Sequence, residues 1–110
     1  MTNNSMHADM LQILQSEGIC LPGPGSILRV EASSNYCKIH FINQQKRLVV
    51  SKVLLWVQDR LPADMFIRVH RSHLVNRLHV QKVKGTSVKI IQLTNGEFIP
   101  VSRRKQAMLD

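Results

Sequence analysis

From residue 27 onward the sequence is cut into short apolar runs, and this segmentation restricts the fold more than any other feature. Residues 27–31, 36–42, 47–50, 66–69, 78–84, 87–93 and 97–101 are brief and read as strands bounded by turn signals. Polar or turn-forming residues interrupt them, as at Ala32-Ser33-Ser34-Asn35, Asn43-Gln44 and Gly85-Thr86. Asn95-Gly96 is the strongest hairpin signal, because a type I′ turn needs two successive residues that accept positive φ. The expected fold class is therefore mainly β, a β-rich α+β arrangement.

Three segments depart from this pattern. Residues 51–61 predict a central helix: Ser51 can cap its first turn, Val53, Leu54, Val57 and Leu61 share one face, and Pro62 ends it. Residues 4–17 predict a short helix with Met6, Met10, Ile13 and Leu14 on one face and Gly18 as a stop; that face packs on its own domain or pairs with a second copy. Leu21-Pro22-Gly23-Pro24-Gly25-Ser26 then reads as a linker, dividing an N-terminal extension, residues 1–25, from a domain over 26–110. At the other end Ser102 can cap a last short helix carrying Arg103, Arg104 and Lys105 in its first turn. Cations there oppose the helix dipole, so an external anion would supply the missing charge.

A chain of 110 residues holds one core and no second substantial domain. Its apolar runs are too short to cross a bilayer, and it reaches Asp9 before any apolar stretch, without the basic start of a secretory signal. Cys20 and Cys37 form no close pair and suit reduced thiols. Together these features point to the cytoplasm, with no membrane partner. The net charge is +8, and it is uneven: residues 68–105 hold nine of the fifteen Lys and Arg against a single acid, Glu97. Such an excess fits a polyanion partner, though a basic domain without a nucleic-acid partner fits it as well.

Two segments carry a resemblance. Phe66-Ile67-Arg68-Val69-His70-Arg71-Ser72-His73-Leu74-Val75-Asn76 resembles the F-x-R-[VI]-H-R-S-[YF]-[LI]-V-N signature of the LytTR family, departing at His73, where an aromatic residue is usual. Ile99-Pro100-Val101-Ser102-Arg103-Arg104 is similar to that family's closing P-V-S-R-R. Residues 27–31 followed by Ser34-Asn35-Tyr36 also resemble its I-x-x-[IV]-E and N-Y elements, and the resemblance covers about residues 27–109. It implies an elongated fold of antiparallel sheets in which loops, not a recognition helix, enter successive major grooves of double-stranded DNA.

Carried over residue by residue, the resemblance implies DNA contacts from Asn35, Tyr36 and Lys38, from Arg68, His70, Arg71 and Ser72, and from Ser102, Arg103 and Arg104. An Arg fork can donate two hydrogen bonds to guanine O6 and N7, which suits Arg71 and Arg103 to base readout. Lys38, Arg104 and Lys105 suit phosphates. Other roles stay open: Arg68 as a structural Arg bonded to carbonyls, His70 as a histidine fixing the turn, Asn76 as a turn residue, Tyr36 as packing at a strand edge. The family context further implies tandem copies or a homodimer on two half-sites, bending of the DNA, and contact with RNA polymerase. A receiver or membrane domain usually precedes this module. The 25 leading residues are too few to be one, leaving a stand-alone regulator and a piece of a longer chain both open.

Competing functions find less support. His40, His70, His73, His79 and Cys37 offer metal ligands, but no C-x-x-C pair occurs, and His70 and His73 are three apart in strand or turn. No G-x-S-x-G or Walker-type loop is present, and nothing in the sequence places Glu31 and Glu97 together as a catalytic pair. Five aromatic residues without an RNP-like pattern argue against an RNA-binding sheet. No enzyme, cofactor, metal or small-molecule substrate is expected. A basic protein-interaction module, or a non-specific nucleic-acid binder, remains the alternative to operator recognition.

Overall fold

The computed structural model describes residues 24–42 and 47–105. The expected helix at 4–17, most of the Pro/Gly linker, the Asn43-Gln44 turn and any helix beyond residue 105 lie outside the described residues.

The described chain is a stack of antiparallel strands with one α-helix. In order it contains β1 (Ile27–Ser33), β2 (Tyr36–Phe41), β3 (Leu48–Val50), α1 (Leu54–Asp59), β4 (Phe66–His70), β5 (His73–Asn76), β6 (Val80–Lys84), β7 (Ile90–Leu93) and β8 (Phe98–Pro100). Short 3-10 turns occur at Pro24–Ser26 and Arg77–His79. The first five strands form one sheet in the order β3-β2-β1-β5-β4, and the last three form a second, β6-β7-β8. The molecule extends 42 × 28 × 28 Å, elongated as the family resemblance implies.

Side-chain alternation along the strands of the larger sheet, shifted on β1 by an irregularity between Ile27 and Arg29, builds two cores, one on each face. Val30, Ile39, Phe66 and Leu74 point to one side and pack with Leu54 and Val57 of α1. Leu28, Ile67, Val69 and Val75 point to the other and meet Ile91, Leu93, Ile99 and Val101 of the second sheet. β1 is the middle strand, and its first four residues are all buried because both faces are covered. Each fully buried Leu, Ile or Val contributes about 1.5–3 kcal/mol relative to exposure, so these two layers carry most of the stability.

The structure adds a strand that the sequence reading did not assign. Residues 73–76 form β5, which pairs with β4 and with β1. Leu74 and Val75 face opposite cores, so no period-2 alternation of apolar and polar residues marks the segment. Asn76 ends it as a turn residue: its Oδ1 accepts from Leu78 N at 2.9 Å and its Nδ2 donates to Ile27 O at 2.8 Å, satisfying a fully buried amide.

Two local expectations are corrected. The helix starts at Leu54 rather than Ser51, with Val53 at the cap, no side-chain cap bond, and Val53 itself 56% exposed instead of on the buried face. A six-residue helix is marginal alone, and it holds here through Leu54 and Val57 against the sheet. The Asn95-Gly96 turn is not type I′, because only Gly96 has positive φ. Gly96 N donates to Leu93 O at 2.9 Å and Leu93 N to Glu97 O at 2.9 Å, a three-residue loop closed through a positive-φ glycine. The Asn95 side chain instead bonds Glu97 N and Oε1.

The two sheets are also joined by charge. Arg29 on β1 is 8% exposed and bonds Glu97, in the turn before β8, through Nε and Nη2, and Glu31 through Nη1. Glu31 and Glu97 are thus brought to one guanidinium, as ion-pair partners.

Candidate nucleic-acid interface

The three segments singled out in the sequence lie at one end of the larger sheet. Register places them there: Glu31 of β1 stands opposite His73 of β5, so the β1–β2 and β4–β5 turns emerge side by side. Ala32 N donates to Ser72 O at 2.8 Å, joining the two turns. On the other side Ser102 N donates to Val69 O at 2.8 Å, fixing the closing segment against β4.

Within the first turn Ser34 adopts φ 57° and is exposed with Asn35. Tyr36 accepts from Ser33 Oγ at 3.2 Å, and Lys38 sits further along β2, half-buried and opposite Glu31. The second turn is held from inside. Ser72 N donates to His70 Nδ1 at 3.1 Å, so that nitrogen carries no proton. Arg68 donates from Nε to His70 O at 2.9 Å, from Nη2 to Arg71 O at 2.6 Å, and from Nη1 to Gln58 Oε1 on α1 at 2.9 Å. Arg71, at the tip, is exposed. In the closing segment residues 103–105 make a 3-10 turn, with Lys105 N donating to Ser102 O at 3.0 Å.

Between the second turn and the closing segment lies an open cleft of about 420 Å³. Its walls are His70, Arg71 and Arg68 on one side, Ser102, Arg104 and Lys105 on the other, with Gln58 of α1 at its edge. No acidic side chain lines it. Arg103 is exposed outside the lining, and Asn35, Tyr36 and Lys38 occupy the neighbouring hairpin rather than the cleft. Gln58 is the site residue that sequence reasoning missed. It lies ten positions before Arg68 on a separate element, and only the packing of α1 brings the two together.

Behind the turns sits a cluster of titratable groups. Burial would raise the Glu31 carboxyl, but a hydrogen bond with His40 (3.2 Å) and the Arg29 guanidinium outweigh it and hold it below its ordinary range. His40 and His73 are both lowered, first by burial and then by neighbouring cations or imidazoles, so each favours its neutral form. The His70 and His73 rings stand 5.3 Å apart, and His73 Nδ1 is buried without a hydrogen-bond partner. Among the described residues no three of His, Cys, Asp and Glu converge as a metal site, and no helix is long and apolar enough to cross a membrane.

A β-rich module that gathers Arg and Lys side chains from two turns around one acid-free cleft can bind a polyanion, with Ser and backbone amides available to position phosphates. Sequence comparison places it more closely: the model of the LytTr DNA-binding domain matches residues 18–110, and the chain belongs to that family. It is similar to the sensory transduction protein LytT of Enterococcus faecalis, 31% identical over 99 residues. The match takes in 87% of this chain and 40% of that relative, so the chain spans well under half the relative's length. Among solved structures it is similar to the LytTr DNA-binding domain of a putative methyl-accepting/DNA response regulator from Bacillus cereus. The TM-score is 0.68 and the identity 25%, over 77% of this chain and 78% of that one.

Proposed function

We propose that this chain is a sequence-specific, double-stranded-DNA-binding transcription regulator of the cytoplasm, reading its operator through loops. The observation that carries this reading is the convergence of His70 and Arg71 with Ser102, Arg104 and Lys105, about thirty residues apart in sequence, on one cleft without an acid. Arg71 and Arg103, both exposed, are the base-reading forks. Arg104, Lys105 and Lys38 neutralise phosphates, while Asn35, Tyr36, His70, Ser72 and Ser102 position the backbone. The hairpin and the cleft then address successive stretches of one duplex face. Two copies, as a homodimer or in tandem, occupy two half-sites, bend the DNA and recruit or block RNA polymerase.

In vitro selection from random duplexes, followed by titration of the enriched sequence and a scrambled control at two salt concentrations, tests this. The expected result is an enriched motif with half-sites about one helical turn apart, bound far more tightly than the scramble. Equal, weak binding of every duplex would sink operator recognition and leave a basic module that binds protein or nucleic acid without sequence preference.

A further inference from the structure

We infer that Arg68 is a positioning residue for operator recognition: with Gln58 of α1 it clamps the backbone of residues 70–71 and so sets the direction in which Arg71 meets the DNA. The inference rests on the reading of Arg71 as a base-contacting side chain.

The strand register sets the direction in which the Arg68 side chain leaves the sheet. Arg68 pairs with Leu74, and Leu74 belongs to the core covered by α1, so the Arg68 side chain leaves the sheet on the helix side rather than toward the second sheet. The register then shifts between Arg68 and His70, and past His70, the last residue of β4, the chain leaves the ladder, so carbonyls at the turn are open to side-chain donors. The guanidinium takes up two of them, His70 O and Arg71 O, from Nε and Nη2. These are the carbonyls of the residues that begin and tip the turn.

The third bond gives the clamp its anchor. Arg can only donate, so the Gln58 atom facing Nη1 at 2.9 Å is the acceptor oxygen, and the planar fork is fixed by a residue of a different element. Three of the five guanidinium N–H groups are used inside the protein. A Lys ammonium keeps the charge but lacks the rigid fork, and cannot reproduce three divergent bonds. Two lining residues of the cleft thus act through Arg71. A recognition side chain held loosely by about 1 Å loses much of its value.

The test measures affinity for the selected operator, for operators altered one base pair at a time, and for a scrambled duplex. Each is taken at several salt concentrations, with thermal unfolding recorded in parallel. Arg68→Lys should weaken the operator about ten-fold and flatten preference at the base pair read by Arg71. It should leave the scramble and the salt slope near the parent's. In an Arg71→Ala background the same change should cost little more. In Arg68→Gln, which removes the charge, a salt slope smaller by about 0.9 with operator and scramble weakened alike would mean that Arg68 contacts a phosphate and overturn the inference. Unchanged operator preference would overturn it too.

Gln58 variants keep the test open if Arg68→Lys unfolds. Gln58→Glu preserves an acceptor for Arg68 and should keep base preference near the parent's, whereas Gln58→Leu removes the anchor and should flatten it at the Arg71 position. Equal loss of preference in both variants, or none in Gln58→Leu, would show that α1 does not act through this bond. A parent that prefers no duplex at all fails the reading of the site itself, a result distinct from each of these.

Discussion

Arg29 and Glu97, 68 residues apart in sequence, meet through two parallel hydrogen bonds of 3.1 Å, and this pair ties the five-stranded sheet to the three-stranded one. Arg29 is almost wholly buried while Glu97 is 41% exposed at its side chain, so the two ends of the bond are unequal. Removing Glu97 strands a buried guanidinium that keeps only Glu31. Glu97→Ala should therefore destabilise the fold by about 1–3 kcal/mol, read as a lower urea midpoint.

The same cluster sets a two-stage response to acid. Glu97 titrates at about 2 against an ordinary 4.5, chiefly through the hydrogen bonds from Arg29. Its contribution is complete above 4.5 and is lost as pH falls through about 2. His40 and His73 are lowered from 6.5, so the fold favours their neutral forms; their contribution is complete above 6.5 and is lost as pH falls through the lowered values. Thermal unfolding followed from pH 8 downward should show one decline beginning below about 6.5 and a second below about 4.5. Glu97→Gln should remove much of the second. A Tm constant between pH 6.5 and 3 would contradict both assignments.

His73 offers a stabilising substitution. It occupies the signature position where an aromatic residue is usual, and its Nδ1 is buried without a partner. An unsatisfied buried polar atom costs about 1–3 kcal/mol, and a phenyl ring of similar shape removes it. His73→Phe should raise stability by about 1 kcal/mol, a Tm gain of about 4–8 °C for a domain of this size. It should also shrink the acid decline that begins below 6.5. A lower Tm would mean that the imidazole makes a contact the phenyl cannot replace.

How much of this was legible in the sequence varies with the range of the interaction. The strand cores around Val30, Ile39 and Ile91 followed from short apolar runs, and the candidates Arg71, Ser102 and Arg104, which the fold brings to one cleft, came from two contiguous motifs. β5 was hidden because Leu74 and Val75 are buried on opposite faces, which erases the alternation a half-exposed strand displays. The helix start was misplaced because Ser51 looks like a cap, whereas Val53 takes the extended cap geometry two residues later. Asn95-Gly96 predicted a hairpin correctly and its type wrongly, because the loop between Leu93 and Glu97 holds three residues and needs positive φ at Gly96 alone. Arg29, Glu31 and Glu97 meet only through sheet packing, as do Gln58 and Arg68, and no local pattern announces either contact.

The proposed interface assigns base reading to some residues and phosphate neutralisation to others, and the two roles should separate in one experiment. Arg71 and Arg103 are exposed and their loss should leave stability within about 0.5 kcal/mol of the parent's. If each reads a base, Arg71→Ala or Arg103→Ala should cost about 1–3 kcal/mol on the operator and relax preference at one base position. Lys105, at the cleft wall, lacks the fork needed for bidentate readout. Lys105→Ala should weaken operator and scramble alike and reduce the salt slope by about 0.9. Titrations of all three variants across a salt series decide the matter, because a phosphate contact alters the slope whereas a base contact alters the ratio between duplexes. If Arg71→Ala bound every duplex as the parent does, the cleft would lose its role as a reader and base recognition would have to lie with Arg103 or the β1–β2 hairpin instead.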